Sequence, residues 1–500
     1  MTEPSVSDPA SDLPEQVRVR RQKYDRLVAA GTPPYLLGYP RTTSLEQVRT
    51  DHAGLEPDAR TGVTVGVTGR VVLSRTGGKL CFATLQEGGG QLQVMVSLEG
   101  VGEQRLAEWK SDVDLGDHVG VTGEVVSSRR GELSVLVTGW ALTSKALRPL
   151  PDKHRGLTDP EARVRQRYVD LVVNPDSRRT ALDRAAVVRT VREQLHGAGF
   201  VEIETPQLQV VHGGASAQPY RTHVNAFDLD VTLRIALELY LKRAVVGGLD
   251  RVFEIGKNFR NEGWDTTHSN EFTMLEFYEA YGDYDTVADR TRDLVLAAAR
   301  AIGRTVVPDG RGGTVDLELP WRSATLHELV AEAVGEPVTT VTPHARLVEL
   351  ARRHEVALQP GWDAGEIVLE LYEQLVEDEL LAPTFVRDYP VSVRPLARAH
   401  RRDPDLAEAW DLVVAGTELA TGYSELVDPV EQRARLTAQS VKAAGGDPEA
   451  MQLDEDFLRA LEHGAPPMGG QGMGIDRLLM LLTGSGVRDV ILFPLVKPVT

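Results

Sequence analysis

Residues 252–281, with the sequence VFEIGKNFRNEGWDTTHSNEFTMLEFYEAY, decide the fold of the second half of the chain. Two runs of strand-forming residues, 252–260 and 271–281, flank a polar segment that contains glycine, aspartate and asparagine. This pattern predicts a long antiparallel hairpin with an open, charged loop.

Polar and aromatic side chains in this hairpin are placed to meet a ligand. Side chains alternate along a strand, so Phe272, Glu276 and Tyr278 should share one face. Arg260 and Glu262 lie at the mouth of the hairpin. An arginine fork beside an aromatic ring suits a nucleotide, because the guanidinium pairs with phosphate and the ring stacks on the base. Taken alone, the hairpin is more simply an ordinary amphipathic one with surface ion pairs.

A second stretch changes that balance. Residues 470–477, GQGMGIDR, run directly into the apolar helical pattern LLMLL. Alternate glycines let a backbone approach a ligand closely, and Asp476 is predicted to cap the helix from which Arg477 emerges. The glycines fit neither the G-x-G-x-x-G fingerprint nor the P-loop pattern. Together with R-x-E at 260–262 and Glu-Phe at 271–272, the stretch indicates a nucleotide site of another kind.

These residues resemble motifs 2 and 3 of the class II aminoacyl-tRNA synthetases. The words LRIALELYLKR at 233–243 and GTELATGYSEL at 416–426 resemble specifically the bacterial-type lysyl-tRNA synthetases. The resemblance extends from about Arg18 onward. It implies a multidomain α+β fold, with an N-terminal OB-type β-barrel and a class II catalytic domain built on an antiparallel sheet flanked by helices. The implied reaction is the ATP-dependent activation of L-lysine to lysyl-adenylate, followed by transfer to the 3′ end of tRNA(Lys).

Composition sets limits on the class of protein. The 500 residues carry a formal net charge of −18, which argues against a protein that coats nucleic acid non-specifically. The single cysteine, Cys81, excludes an intramolecular disulfide and a multi-thiolate zinc site. The apolar runs are too short to span a bilayer, so we expect a cytoplasmic protein without a membrane partner.

Changes in composition and periodicity divide the chain into five predicted segments. The first is rich in proline, serine and aspartate, the second is a basic helical pattern, and the third has the period of two that five short strands produce. The predicted segments are a disordered tail at 1–13, a helical basic extension at 14–61, an OB-type anticodon-binding domain at 62–145, a linker at 146–180, and a catalytic domain at 181–500 with a helical insertion at about 285–385.

The resemblance assigns a role to each residue of the nucleotide site. Arg260 is implied to contact the α-phosphate of ATP, and Phe272 and Arg477 to enclose the adenine. Glu262 is implied to read the adenine amino group, with His268 near the outer phosphates. Arg260, Glu262 and Arg477 are therefore the expected catalytic residues.

Magnesium is the implied cofactor. Asp411 and Glu418 occupy the positions that hold Mg²⁺ in the family and also contribute to ATP binding. Carboxylate oxygens suit a magnesium ion that is bridged through phosphates. As an isolated pair seven residues apart, the two acids would more simply be surface charges.

A lysine pocket needs buried negative charge. By resemblance, Glu238 binds the α-amino group and Glu425 the side-chain ammonium. The implied lysine-binding residues are Gly214, Glu238, Glu276, Tyr278, Tyr423 and Glu425. A buried carboxylate without a cation is costly, so such a pocket rejects neutral amino acids by leaving its own charge unpaired.

The predicted barrel and the start of the catalytic domain carry the implied macromolecular contacts. Phe82 and Gln93 match anticodon-reading positions, with Arg75 and Glu132 alongside, since OB barrels stack bases on exposed aromatics. Without the resemblance, Phe82 would be read as a core residue and Gln93 as a surface one. A helix and strand that end at Pro206 resemble motif 1 and imply a homodimer.

Four positions depart from the family pattern. Gln218 replaces arginine, Thr267 a basic residue, Asn270 a proline and Thr421 an asparagine. These departures suggest a divergent or duplicate enzyme. Two alternatives therefore stay open: a paralogue that activates lysine for a protein or lipid acceptor, and a non-catalytic tRNA-binding regulator.

Overall fold

The structure is a computed structural model that describes residues 14–151, 156–263, 265, 267–444 and 451–498. The chain divides into two compact units, with the division after Pro175. The predicted disordered tail at 1–13 lies outside the described residues.

The first unit contains a closed five-stranded barrel with the strand order β1-β2-β3-β5-β4. Valines that alternate with polar residues make its core, as Val67, Val94 and Val121 show by their complete burial. The predicted OB-type barrel is confirmed. Its elements are α1 (Glu15–Ala29), α2 (Leu45–Asp51), β1 (Arg60–Thr76), β2 (Leu80–Glu87), β3 (Gly90–Ser97), α3 (Leu98–Asp112), β4 (His118–Ser127) and β5 (Leu133–Ser144).

The segment between the barrel and the second unit contains regular structure. Two short helices, α4 (Pro160–Arg165) and α5 (Arg167–Val173), lie within the predicted linker. In α5 the buried Arg167 donates a 2.6 Å hydrogen bond to the buried Asp170. Regular structure forms in this charge-rich stretch because opposite charges three or four residues apart on a helix can pair with each other.

The second unit is built on an eight-stranded sheet with the order β14-β15-β16-β17-β18-β11-β10-β6. All pairings are antiparallel except β10 with β6 and β14 with β15. Its strands are β6 (Val201–Glu202), β10 (Arg251–Phe259), β11 (Glu271–Ala280), β14 (Arg322–Thr325), β15 (Thr384–Pro390), β16 (Leu406–Val414), β17 (Thr417–Ser424) and β18 (Met468–Gly474). Smaller sheets hold β7 (Leu208–Gln209), β8 (Arg221–Val224), β9 (Leu229–Leu233), β12 (Val306–Pro308) and β13 (Thr314–Asp316).

Helices flank this sheet, which confirms the predicted α+β catalytic fold. They are α6 (Pro175–Gly197), α7 (Glu238–Val246), α8 (Tyr284–Ala301), α9 (Leu326–Val334), α10 (His344–Arg353), α11 (Ala364–Leu375), α12 (Pro429–Ala444), α13 (Glu455–Glu462), α14 (Ile475–Thr483) and α15 (Val487–Val490). The main core lies between α6, α8, α14 and the sheet, and includes Val191, Leu294, Trp410 and Leu478.

Two details differ from the sequence patterns. The catalytic domain, expected to start at 181, opens with a helix that begins at Pro175, since proline is well tolerated in a first helical turn. The segment at about 285–385 contains α8 to α11 but also β12, β13 and β14. The apolar face of α8 belongs to the main core, so this helix is part of the sheet's support and not of an inserted element. Within the described ranges, every helix is too short or too polar to cross a bilayer.

Candidate active site

The hairpin that opens the sequence is present. β10 and β11 pair from Arg251↔Glu279 to Phe259↔Glu271, with a loop over 260–270. Side chains at every second position of β11 line two adjoining cavities in the second unit. These side chains are Phe272, Met274, Glu276 and Tyr278.

Two rows of residues run across three neighbouring strands and shape the amino-acid side of this site. In one row Glu276, Gly472 and Thr421 stand opposite one another, and in the next Tyr278, Gly470 and Tyr423 do. Residues opposite one another in a sheet point to the same face. Each row therefore has a glycine floor between two larger side chains, which leaves a groove on that face of the sheet.

Gly470 is required at its position in this floor. A β-carbon there would overlap the Glu425 carboxylate and the Tyr278 ring. The sequence predicts that the glycines let a backbone approach a ligand closely. At Gly470 the close neighbours are instead two side chains of the pocket, which turn inward over the strand because no β-carbon obstructs them.

The two cavities share part of their walls. The first has a volume of about 220 Å³ and the second about 300 Å³. The residues that line both are Arg260, Met274, Glu418, Thr421 and Gly472. Two ligands bound side by side would thus meet at Arg260 and Glu418.

The first cavity is lined by the residues assigned to the nucleotide. The Arg260 guanidinium lies 5.1 Å from the centre of the Phe272 ring. Arg477 donates a 2.9 Å hydrogen bond to the Glu418 carbonyl, and its other terminal nitrogen lies 3.4 Å from His268 Nε2. His268 Nδ1 lies 2.9 Å from an oxygen of Asp265. With Nδ1 donating to Asp265, Nε2 accepts from Arg477, so one neutral tautomer satisfies both contacts.

Asp476 has a different role from the predicted one. The first residue before α14 is Gly474, and no side chain caps this helix. Instead the Asp476 carboxylate accepts a 2.7 Å hydrogen bond from the Thr273 amide and a 2.5 Å hydrogen bond from Arg184. A buried carboxylate needs hydrogen-bond donors, and here a backbone amide and an arginine side chain from other elements supply them. Asp476 therefore ties the start of α14 to β11.

Asn270 joins the two ends of the hairpin loop. Its side-chain amide donates hydrogen bonds of 2.9 Å to the Arg260 carbonyl and 2.8 Å to the Glu262 carbonyl. The Arg260 amide donates back to the Asn270 carbonyl at 2.9 Å. Hydrogen bonds thus fix the loop at the position where the family carries proline. The Gln218 amide also donates to the Glu262 carboxylate at 3.2 Å, a contact that does not depend on the Gln218 side chain.

We expect Asn270→Asp to raise the KM for ATP about tenfold. The carboxylate would face two carbonyl oxygens without a proton to donate, and each lost hydrogen bond costs about 1 kcal/mol. The measurement is amino-acid-dependent ATP–pyrophosphate exchange over a range of ATP concentrations. Asn261→Asp, the same change at an exposed residue of the same loop, serves as the control. Equal KM values for the two variants would contradict this role of Asn270.

The second cavity has an acidic lining. Glu238, Glu276 and Glu425 all line it and are at most 5% exposed. Glu276 accepts hydrogen bonds from the Leu237 amide at 2.9 Å and from the Tyr278 hydroxyl at 3.1 Å. Glu425 Oε1 has no hydrogen-bond partner among the described residues. The cavity is therefore suited to a ligand that carries positive charge.

Burial and mutual repulsion perturb these carboxyl groups. Burial, with Glu238 nearby, raises the pKa of Glu276 to about 7. Burial also raises the pKa of Glu425, although Lys242 opposes the shift. Both causes disfavour the ionised form until a cation enters, so a cationic ligand would relieve them.

Asp411 and Glu418 are the carboxylates expected to hold magnesium. They lie on the neighbouring strands β16 and β17, and Asp411 stands opposite Thr421. Burial and then the nearby Asp411 raise the pKa of Glu418. Arg394 donates a 2.5 Å hydrogen bond to Asp411 Oδ2, whereas Oδ1 is buried without a hydrogen bond in the described chain. A carboxylate oxygen without a hydrogen bond, near a second carboxylate, has the chemistry of a divalent-cation ligand. Of the two acids, Glu418 lines both cavities, whereas Asp411 lines neither.

The four residues assigned to the anticodon belong to the first unit. Arg75 stands opposite Phe82 on β1 and β2, and Gln93 stands opposite Ser134. Phe82 is half-buried, whereas its neighbours Cys81 and Ala83 face the barrel core. Gln93 donates a 2.8 Å hydrogen bond to Ser134, and Glu132 is exposed at the start of β5. Phe82 is therefore not the core residue that would be expected without the resemblance to the family.

Comparison with known proteins identifies the family. Residues 159–497 match the family described as tRNA synthetases class II (D, K and N). The chain is a class II aminoacyl-tRNA synthetase. In addition, residues 65–142 match the OB-fold nucleic acid binding domain.

Relatives of the synthetase cover nearly its whole length. It is 55% identical to the lysine–tRNA ligase of Mycolicibacterium gilvum over 99% of both chains. It is 56% identical to the lysine–tRNA ligase of Kineococcus radiotolerans, over 97% of this chain and 98% of the relative. A third relative, the lysylphosphatidylglycerol biosynthesis bifunctional protein LysX of Nocardia farcinica, is 51% identical over 99% of this chain but 44% of its own length.

Two residues of the synthetase's site escape the sequence analysis. Lys242 pairs with Glu238, and Arg394 pairs with Asp411. The spacing of Glu238 and Lys242, four residues apart in a helical pattern, is a signal for the first pair. Arg394 lies in irregular chain far from Asp411 in sequence, and no local pattern indicates that contact.

Proposed function

We propose that this synthetase is the ligase that joins L-lysine to tRNA(Lys). One observation carries the proposal: a cavity lined by three buried carboxylates adjoins a cavity lined by two arginines and a phenylalanine. Lysine is the protein amino acid that carries an ammonium group at each end of an extended chain. A pocket in which three buried carboxylates share the single ammonium of Lys242 favours lysine over neutral or acidic amino acids, because those would leave the excess negative charge uncompensated.

The proposed reaction has two steps. In the first, an oxygen of the lysine carboxylate attacks the α-phosphorus of ATP, the new O–P bond forms, and pyrophosphate leaves with the electrons of the broken bond. In the second, the terminal 3′-hydroxyl of tRNA attacks the carbonyl carbon. An ester forms, the hydroxyl proton is released, and AMP departs. Positioning and charge stabilisation account for most of the acceleration in such transfers.

Arg260 is the proposed contact of the α-phosphate. It lines both cavities, so its guanidinium lies where the two substrates would meet. A guanidinium offers a planar fork to the oxygens of the five-coordinate transition state. In the same proposal, Phe272 and Arg477 enclose the adenine, Glu262 accepts from its amino group, and His268 lies near the outer phosphates.

Asp411 and Glu418 are the proposed ligands of Mg²⁺. When bound, the ion would offset negative charge on the phosphates and on the departing pyrophosphate. Arg394 donates to one oxygen of Asp411, and the other oxygen accepts no hydrogen bond from the described residues.

Three groups of residues would surround the bound lysine: one at its α-ammonium, one at its side-chain ammonium, and one on the side of the nucleotide. Glu238, next to Gly214 at the start of α7, is the proposed partner of the α-ammonium. Glu425 and Glu276 are the proposed partners of the side-chain ammonium, with Tyr278 and Tyr423 as the walls between them. Thr421 lines the groove between lysine and nucleotide, and its shorter side chain leaves more room than the family's asparagine.

The barrel is the proposed reader of the anticodon. We expect Phe82→Ala to raise the KM for tRNA at least tenfold, since a base stacked on an aromatic ring contributes about 1–3 kcal/mol. Lysine-dependent pyrophosphate exchange, which needs no tRNA, should keep its rate. Thr50→Ala, at an exposed position of α2, is the control. A normal KM for tRNA in Phe82→Ala would remove this residue from the assignment.

A cytoplasmic homodimer is the proposed assembly. Apolar side chains are exposed on α6 and beside the small strands of the second unit, as Leu182, Val210 and Phe227 illustrate by exposures of 62%, 66% and 79%. A homodimer that covers these side chains would remove their apolar surface from water.

Charging of total tRNA with labelled lysine, in the presence of ATP and Mg²⁺, tests the proposed function. Incorporation of lysine into acid-precipitable tRNA is the expected result. The similarity to a bifunctional protein of lysylphosphatidylglycerol biosynthesis makes a different acceptor the second candidate. Lysine-dependent pyrophosphate exchange without tRNA charging would favour that candidate, and ATP binding without exchange would favour a regulator.

A further inference from the structure

The lysine pocket contains a lysine of the protein itself. Lys242, on α7, is 1% exposed, and its ammonium lies 2.5 Å from Glu238 Oε1. The same ammonium pairs with Glu425 Oε2. Lys242 therefore joins the two carboxylates that the proposed function assigns to opposite ends of the substrate.

The position of this ammonium distinguishes it from a substitute for the substrate. Glu238, Glu276 and Glu425 line the cavity, whereas Lys242 does not. Lys242 thus contacts Glu238 and Glu425 from outside the cavity and does not occupy the space between the carboxylates and a ligand. Glu425 Oε1, for which the described residues offer no hydrogen bond, remains for a ligand.

Charge counting shows why a fixed cation is needed. Three buried carboxylates share this pocket, and an isolated buried carboxylate takes up a proton in preference to remaining ionised. A protonated carboxyl does not attract an ammonium. Burial would lower the pKa of Lys242, but Glu238 and Glu425 raise it above its usual range, so the ammonium stays charged. It supplies one of the positive charges that the three acids need.

We propose that Lys242 is a positioning residue for amino-acid selection, which holds Glu238 and Glu425 ionised and aimed at the two ammonium groups of the substrate. This inference rests on the proposed function and extends it from the residues that touch lysine to one that acts through them. It assigns the selectivity of the pocket to four charges and not to three carboxylates alone.

The inference predicts a pH signature. Charged and titratable groups facing Lys242 or the two carboxylates come from α7, β11, β17 and the residues that directly follow β10 and β17. They are Glu238, Arg260, Glu276, Tyr278, Tyr423 and Glu425. Carboxyl groups whose pKa is raised are protonated at lower pH and ionise as the pH increases. Lysine should bind more tightly as the pH increases from 6 to 8, a range in which both ammonium groups of the substrate remain largely charged. Without Lys242 the carboxyl pKa values increase further, so weak binding should extend to higher pH.

The test is lysine binding to the full chain by calorimetry at pH 7 and pH 9. We expect Lys242→Met to weaken lysine binding at least thirtyfold at pH 7 and by clearly less at pH 9, with ATP binding unchanged. Lys242→Gln keeps hydrogen bonding without charge and should behave in the same direction, which covers the case in which the methionine variant does not fold. Lys257→Met, on β10, is the matched control.

Each outcome has a distinct meaning. Failure of the unaltered chain to bind lysine would overturn the proposed function and this inference with it. Normal binding by the unaltered chain with unchanged affinity in both Lys242 variants would overturn the inference alone. Tighter binding in the variants would also overturn it, because Lys242 would then be a competitor of the substrate. A loss of affinity that is equal at both pH values would show a packing role and would equally refute the inference.

Discussion

Replacing Glu425 with glutamine is expected to reduce kcat/KM for lysine in pyrophosphate exchange by at least a hundredfold. Removing one partner of a buried charge pair costs about 3 kcal/mol, and each 1.4 kcal/mol is a factor of ten. Glutamine has almost the same shape, so the loss would report the charge and not a cavity. The variant would also leave Lys242 with Glu238 as its remaining carboxylate partner in the pairs described.

Selectivity is the second readout of this variant. The ratio of lysine to asparagine activation should decrease, because the pocket would lose the Glu425 charge, which favours an ammonium over a neutral side chain. The KM for ATP should remain near its original value, since Glu425 lines only the amino-acid cavity of the two. Glu332→Gln, an exposed glutamate on α9, is the control. An unchanged preference for lysine in Glu425→Gln would refute the assignment of the pocket.

Replacing Arg260 with alanine is expected to reduce the rate of pyrophosphate exchange about a thousandfold at saturating lysine and ATP. Removing a single donor that stabilises developing charge typically costs a factor of about 10²–10³. Arg260 is half-buried where the two cavities meet, so its charge is screened less than at an exposed site. Arg260→Lys should recover little of the rate, because an ammonium does not reproduce a planar fork.

Lysine binding separates this effect from general damage to the site. Arg260→Ala should still bind lysine in calorimetry, since the carboxylates that recognise the two ammonium groups are untouched. Arg353→Ala, on the surface of α10, provides the control for an arginine lost elsewhere. Exchange at an ordinary rate in Arg260→Ala would show that another cation meets the α-phosphate.

Local sequence patterns predict most of the fold. They also predict which strand residues of the candidate site share one face of the sheet. The alternation in β10 and β11 and the glycines of β18 place Glu276, Tyr278 and Gly470 on one face, as periodicity requires. Local patterns do not predict which side chains form ion pairs and hydrogen bonds between separate elements of the site. Lys242 forms an ion pair with Glu425, and the Asp476 carboxylate accepts a hydrogen bond from the Thr273 amide. Both contacts join residues that are far apart in sequence. Such contacts depend on how the strands are ordered in the sheet.

Asn270 illustrates a different limit. A missing proline predicts a looser loop, because proline restricts the backbone. The structure replaces that restriction with two hydrogen bonds from one amide to the ends of the loop. Propensity describes a residue by itself, whereas the contribution of this asparagine comes from the two carbonyls that it meets.

The common wall between the two cavities limits how resistance to a toxic lysine analogue could evolve. Thr421 and Gly472 contribute to both cavities, so a change there that excludes the analogue would also alter the fit of ATP. Tyr423 and Gly470 line the amino-acid cavity alone. Tolerated resistance substitutions should therefore collect at Tyr423, one row of the sheet away from Thr421, because Gly470 in the same row admits no side chain.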